Sequence, residues 1–575
     1  MQNLTRAQKA RVAIRSFKAI AYTLALRGFY RPSGKMGQTL ADCLIALSPE
    51  IYGSMNDPRV VELRGLEYVI DRLPRGIEEC TRIILTEEEQ FEDSPFEKII
   101  PLKRRRSCYR ISENEFCFVI TRGISEIYDI LTHICFLNLE AKKIHSRMSD
   151  ELGRIPNEWK DLEKIIPRLD SVGKKEVEEA IWDLSLVVGR TYHETKDVYE
   201  AFEKNRRENN SNNGLFNLIY RLGKRVEAET QDFENYLIVH LTPSLMNIIA
   251  HQRYGEKWAE DIKRKLVELN LQDRPLHIIS ANLHSVSNLI YGHAATASCG
   301  PQKGASGDEL YNFVQCLRSQ RNDILKFAAA HGFHELPDRS GTHIDCQIID
   351  TASLNGMTFH PDMKISLPAS ETEKPVILVM DYAFGAQAFE VMDQLLEPFS
   401  REPYVPMNVR SISVMGKAGI LTGKKGEIML ATAHVIEGTS DNYIFENDLD
   451  KKDFDPDINV YTGPMITVLG TSLQNRDLLE RIQSTWNIVG LEMEGGHYQR
   501  AISAARIKGH IPEAVKVRYA YYASDNPLVS GQTLAAGEMG LEGIRPTYMV
   551  TKVILEKIFA QEQGNGSSLA PADPR

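Results

Sequence analysis

The first 270 residues read as one helix after another. Apolar side chains at Ala13, Phe17, Ile20 and Leu24 recur at helical spacing. Ile120, Ile124, Ile127, Leu131 and Ile134 form a core-facing stripe at intervals of three and four. Further helical patterns fall at 177–188, 197–204, 215–228 and 254–269, with few strand-like alternations between them. The polar stretch 207–213 reads as a loop. Near Asp273 the pattern changes. Short apolar runs at 276–279, 375–380, 409–415, 465–469 and 515–522 alternate with glycine-containing turns and helical stretches. That alternation predicts an α/β domain with a mixed, largely parallel central sheet flanked by helices. The expected plan is a mostly α-helical domain over 1–270, an α/β domain over 275–560 interrupted by an insertion at 293–370, and a disordered polar tail over 561–575.

Composition narrows the classes. A chain of 575 residues is too long for one hydrophobic core. A net charge of −10 argues against wholesale nucleic-acid binding and leaves room only for local basic patches. Eight cysteines are scattered with no C-x-x-C pair, and no histidine cluster flanks them at metal-ligand spacing. This predicts a reduced, cytoplasmic setting with no metal. No apolar run has the length of a membrane span, and no signal peptide is visible. The first 41 residues lack Asp and Glu, a weak transit-peptide trait. Their amphipathic spacing instead predicts a packed helix.

Three stretches carry candidate chemistry. MGKAGILTGKKG at 415–426 sends a buried-looking strand into G-x-x-G, a turn that serves either as a ligand-binding nest or simply as a tight turn. VGLEMEGGHYQR at 489–500 sets Glu492 and Glu494 at a strand end, either as a solvated turn or as carboxylates held for a purpose. VKVRYAYYASDNPL at 515–528 ends a long apolar strand in Ser524-Asp525. There an Asp is either a turn or helix-cap residue, or stands where open α/β sheets place their ligands.

The order GKAG, EGTSDNY, LEMEGG, ASDNPL resembles the nucleoside phosphorylase superfamily, and within it the bacterial AMP nucleosidases. The stretches IISANLHSVSN at 278–288 and 376–396, with Gly385 in its turn, extend the likeness over roughly the C-terminal half. The resemblance implies cleavage of a purine–ribose bond, with no cofactor, in a homo-oligomer. It implies that Asp525 protonates the departing purine, that Ser524 orients Asp525, that Glu494 grips the ribose hydroxyls and that Met493 packs on the sugar. It gives Glu492, Gly416, Gly419, Gly385, Thr439, Ser440 and Tyr443 as substrate-binding positions. It further suggests Lys417 and Arg476 for a 5′-phosphate.

Departures are informative. Val414 stands where related phosphorylases place an Arg for phosphate, which favours water as nucleophile. The first strand-to-helix turn has no acid, leaving His284 or Asn282 to position that water. Tyr521 replaces an expected Arg, although Arg518 lies nearby, and Gly495-Gly496-His497-Tyr498 is bulkier than the family pattern. The expected reaction is AMP and water to adenine and ribose 5-phosphate. The alternatives are a phosphate-dependent purine nucleoside phosphorylase and a non-catalytic nucleotide sensor. The run Lys103-Arg104-Arg105-Arg106 reads either as a solvated charge cluster or as a site for an anionic regulator. No nucleic-acid or membrane partner is expected.

Overall fold

The computed structural model describes residues 4–104, 106–150, 152–248, 253–297, 310–370, 373–529 and 539–564. The chain forms two compact units. One comprises residues 1–251 with 470–479, and the other 252–469 with 480–575. Among the described residues no helix is long and apolar enough to cross a membrane.

The first unit is helix-rich, as the periodicity predicts, but a six-stranded sheet runs through it. Its strands are β1 (Phe29–Tyr30), β2 (Arg82–Thr86), β3 (Glu97–Ile99), β4 (Ser107–Ser112), β5 (Glu115–Val119) and β6 (Ile238–Leu241), in the order β1-β6-β2-β5-β4-β3. A sheet thus stands among the helices of a domain expected to be mostly α-helical. The helix Gly123–His145 buries Ile127, Leu131 and Ile134 as expected, together with Glu126, Asp129, His133 and Glu140. The basic run meets Glu126 and Asp129, and Lys143 meets Glu140 at 2.9 Å. Arg106, almost wholly buried, bonds through Nη2 to Asp129 and through Nη1 to the Arg72 carbonyl at 3.0 Å, while Arg104 Nε reaches Asp129 at 3.3 Å. Arg104 and Arg106 are therefore internal counter-ions, not a solvated cluster. Arg105 lies outside the described residues.

The second unit begins before residue 270. The helix Arg253–Glu268 buries Trp258, Ile262 and Leu266 in its core, and Trp258 Nε1 donates to the Ile344 carbonyl at 2.9 Å. The unit's strands are β7 (Leu276–Ser280), β8 (Phe333–Leu336), β9 (Cys346–Asp350), β10 (Val376–Met380), the ribbon β11 (Ser400–Arg401) and β12 (Tyr404–Val405), β13 (Val409–Ile420), β14 (Ile428–Ile436), β15 (Asn442–Ile444), β16 (Val460–Thr467), β17 (Gly490–Glu492) and β18 (Lys516–Asp525).

Ten of these strands form one mixed sheet, β15-β14-β16-β17-β13-β7-β10-β9-β8, with β18 pairing both β13 and β14. That double pairing closes β13, β17, β16, β14 and β18 into a ring. The strands β10, β7, β13 and β18 run parallel, β14, β16 and β17 run parallel to one another but antiparallel to these, and the edge pairs are antiparallel. Parallel strands covered on both faces need apolar residues on both. In β10, Val376, Leu378 and Met380 face one core, and Ile377 and Val379 face the other. The helices Arg253–Glu268, Gln387–Leu395 and Gly495–Ile507 cover the first face. The helices Leu283–Ala297, Arg321–Ala329 and Ile544–Gly564 cover the second.

The described part of the 293–370 segment is no appendage: β8 and β9 extend the sheet, and Ile324 and Ala328 sit in its core. Of the predicted tail, residues 561–564 belong to the last helix. Gln561 and Glu562 meet Arg518 and His277. The remainder of the tail lies outside the described residues.

Candidate functional site

Asp525 and Gly419 meet at the C-terminal ends of the parallel strands β18 and β13, where α/β sheets hold ligands, and Glu492 ends β17, which runs antiparallel to β13. The sequence here predicts a turn at Gly416–Gly419, and the structure corrects it. β13 runs through these residues to Ile420, pairing Gly416, Lys417 and Ala418 with Tyr521, Tyr522 and Ala523 of β18. A register shift then sets Gly419 opposite Asp525. A Cβ at 416 would lie 3.3 Å from the Tyr382 ring, a tight contact that the glycine avoids. The turn itself falls later, at 421–426.

Asp525 ends β18 and is buried. Its Oδ1 accepts from the Ser524 hydroxyl, and that hydroxyl lies 3.2 Å from the Ala418 carbonyl. Its Oδ2 is buried without a hydrogen-bond partner among the described residues. Burial pushes the carboxyl above its usual range against the opposing pull of Ser524, Lys417 and Lys425. The neighbouring Asn526, which sequence reasoning passed over, donates to the Gly423 carbonyl at 2.9 Å and fixes the strand's exit.

The two glutamates of the second motif have different surroundings. Glu492 points inward. It accepts from the Thr467 hydroxyl at 2.5 Å and from the backbone amide of Glu494 at 2.6 Å. It also accepts from the amide of Gly495, and it lies 3.4 Å from His434 Nδ1. Burial alone would raise its pKa, but His434 and these donors hold it below the usual carboxylate range. Glu492 therefore positions the motif. Glu494, the N-cap of the helix Gly495–Ile507, is half-buried and accepts the Gly385 amide at 2.9 Å. Gly385 has φ +56°, which a side chain would strain, so its amide is presented to Glu494 by backbone that favours glycine. Met493, half-buried, lies between the two glutamates.

A cavity of about 490 Å³ opens beside β13 and β18, lined among others by Asn282, His284, Arg318, Arg321, Lys417 and Tyr522. Neither Asp525 nor Glu494 lines it, and Lys417 is the link, since its charge also acts on Asp525. His284 stands on the rim. Desolvation and the guanidinium charges of Arg321 and Arg318 push its imidazole below the usual range.

Other candidates make contacts of their own. Thr439 and Ser440 form the β14–β15 turn, where Thr439 Oγ1 accepts the Asp441 amide at 3.1 Å, and Tyr443 pairs across the hairpin with His434. Arg476 folds with the first unit, its amide 3.4 Å from Glu50 Oε1. Arg518 is buried and bonded to Asp448, Ser411 and Gln561, so it is a strut of the sheet. Tyr521, in place of the expected Arg, buries its hydroxyl against Gly495.

A family model described as a family of unknown function (DUF6909) matches residues 38–299 and 310–560. The chain belongs to the DUF6909 family. No curated protein matches it. Solved structures similar to this DUF6909 protein include a Campylobacter jejuni 5′-methylthioadenosine/S-adenosylhomocysteine nucleosidase, at 11% identity over 50% of this chain and 99% of that one, TM-score 0.30. A futalosine hydrolase mutant of Helicobacter pylori is 12% identical over 50% and 98%, TM-score 0.26. A Toxoplasma gondii purine nucleoside phosphorylase is 12% identical over 51% and 94%, TM-score 0.28. Likenesses of this size carry no functional weight. In the DUF6909 chain the residues that sequence reasoning missed, Arg318 and Arg321, come from the segment set aside as an insertion. Their one-turn spacing was the available signal.

Proposed function

We propose that the second unit is a purine N-glycosidase that hydrolyses AMP to adenine and ribose 5-phosphate. The observation that carries this reading is Asp525, a buried carboxyl with one oxygen unpartnered among the described residues and a raised pKa. A carboxyl whose proton is held more tightly than usual, at a strand's C-terminal end, suits a general acid. In the proposed reaction the bond from C1′ to the purine breaks, and both its electrons pass to the base. Asp525 delivers its proton to the purine N7, and the sugar carries the positive charge. Water then bonds to C1′ and loses a proton, which restores Asp525. Glu494 accepts the ribose hydroxyls and favours the charge growing on the sugar. His284, whose burial and neighbouring guanidinium charges favour the neutral imidazole, takes the role of orienting water in this reading. Val414 is a buried strand residue, and an apolar side chain there offers no charge to a phosphate nucleophile.

The test is release of free adenine from AMP, followed by chromatography with and without phosphate, beside an Asp525→Asn variant. Release that needs no phosphate and is lost in the variant is the expected result. A strict phosphate requirement would make the protein a phosphorylase. Binding without any turnover would make it a sensor.

A further inference from the structure

The cavity beside β13 has an unusual charge. Arg318, Arg321 and Lys417 line it, and among the described residues no Asp or Glu does. The chain as a whole carries −10, so a wall with three cations and, among the described residues, no carboxylate is not what its average surface supplies. Three other arginines of the unit meet acids: Arg274 meets Asp350 at 3.1 Å, Arg401 meets Glu397 at 2.8 Å and Arg545 meets Asp457 at 2.6 Å. Among the described residues neither Arg318 nor Arg321 has an ion-pair or hydrogen-bond partner. Both sit near enough to His284 to disfavour its protonation, against the weaker opposite pull of Asp381. Gathering like charges costs energy unless an anion joins them.

The backbone adds to the same potential. The helix Leu283–Ala297 begins at the cavity, with Asn282 and His284 lining it. The helix Ile544–Gly564 begins there too, with Gly543 and Ile544 in the lining. Neither helix has an acid in its first turn, so both positive ends are uncompensated by their own sequence. The arginines stand three residues apart across the junction of the turn Leu317–Gln320 and the helix Arg321–Ala329, a spacing that sets side chains on one face. Two guanidinium forks and an ammonium suit a tetrahedral dianion better than a single carboxylate.

We propose that Arg318 and Arg321, with Lys417, form the subsite for the 5′-phosphate of a nucleoside monophosphate, and so make the enzyme select nucleotides over nucleosides. The identity of the rest of the ligand rests on the glycosidase reading above. Arg476, the other cation suggested by the sequence, folds with the first unit and is not needed.

The experiment uses the full chain, as wild type, Arg318→Ala, Arg321→Ala, the double alanine variant and the double lysine variant. It measures adenine release from AMP and from adenosine, and calorimetric binding of ribose 5-phosphate, ribose and inorganic phosphate. Each alanine is expected to lower the ratio of kcat/KM for AMP to that for adenosine by about tenfold. The double alanine variant should lose ribose 5-phosphate binding, the double lysine variant should recover part of it, and ribose should bind none of the proteins tightly. Both arginines are exposed, so melting temperatures should stay at the wild-type value.

An unchanged ratio, or ribose 5-phosphate binding undiminished in the double alanine variant, overturns the subsite. So does phosphate-stimulated cleavage that the double alanine variant loses, because the anion is then a co-substrate. If wild type cleaves neither AMP nor adenosine, the glycosidase reading falls. Ribose 5-phosphate binding then decides the subsite alone: arginine-dependent binding keeps it, and its absence overturns it.

Discussion

Asp525 and Ser524 show how a carboxyl can be buried and still tuned. Burial raises the Asp525 pKa, and the Ser524 hydroxyl and the charge of Lys417 pull it back. The acid is active when protonated, so turnover should fall as pH rises through this raised value, later than for an ordinary carboxyl. Ser524→Ala removes a donor that favours the ionised form, and should move the alkaline limb of the pH–rate profile to higher pH. A limb that stays in place or moves down would assign it to another group. Asp525→Asn should cost about 10²–10⁴-fold in kcat. The sign for stability is opposite to that for a salt-bridged acid. A carboxyl whose folded pKa is raised stabilises the fold below its unfolded pKa and loses that contribution as pH rises through the folded one. The Asn variant should therefore melt no lower than wild type at neutral pH, which calorimetry would show.

At the scale of elements, the junction of β17 with the helix Gly495–Ile507 presents Glu494 on a support made by Glu492. The Glu492 carboxylate binds two backbone amides of that junction, and Thr467 and His434 hold it from the next strands. Glu492→Ala removes one side of a buried pair and should cost about 3–5 kcal/mol in urea unfolding. Because its folded pKa is depressed, that contribution is present above the unfolded value and lost as pH falls through the folded one, so the difference from wild type should shrink in acid. Gly495→Ala would set a Cβ 2.2 Å from the Tyr521 hydroxyl and 2.5 Å from the His434 ring. It should displace the helix start, lowering kcat/KM together with the melting temperature. Activity retained at the wild-type level would separate Glu494 from catalysis.

Much of this unit was legible as pattern. β7, β10 and β18 are apolar runs of strand length, and the acids that end β17 and β18 are conspicuous after them. Gly416–Gly419 misled because glycine signals a turn locally. Here the strand continues, and the missing side chain makes room for Tyr382. Arg318 and Arg321 gain meaning only from the fold, which sets their segment beside β13.

At the scale of the whole molecule, the helical stripes of the first unit were visible, but its sheet was not. β2 and β5 are five residues each, and β1 is two, too short to stand out between long helices. The basic run also changed meaning, because Asp129 and Glu126, distant in sequence, close around Arg106. Arg106→Ala would strand those buried acids and should cost about 3–5 kcal/mol, read by denaturant unfolding. Asn475 serves the same unit from the far side of the sequence. Its amide donates to the Leu47 carbonyl at 2.9 Å, and its Oδ1 caps Leu478 at 2.9 Å. Asn475→Ala should cost about 1–2 kcal/mol by the same measurement.

That last residue lies in the segment 470–479, which is encoded inside the stretch for the second unit and folds with the first. The boundary near residue 251 is therefore not a seam along which the gene can be divided. A copy that lost its first 250 codons would still make those ten residues, now without the unit they pack in. A copy that kept only those codons would make a first unit short of a piece. Recombination that swaps either stretch must replace the other's complement at the same event, so selection acts on the two as a single heritable block.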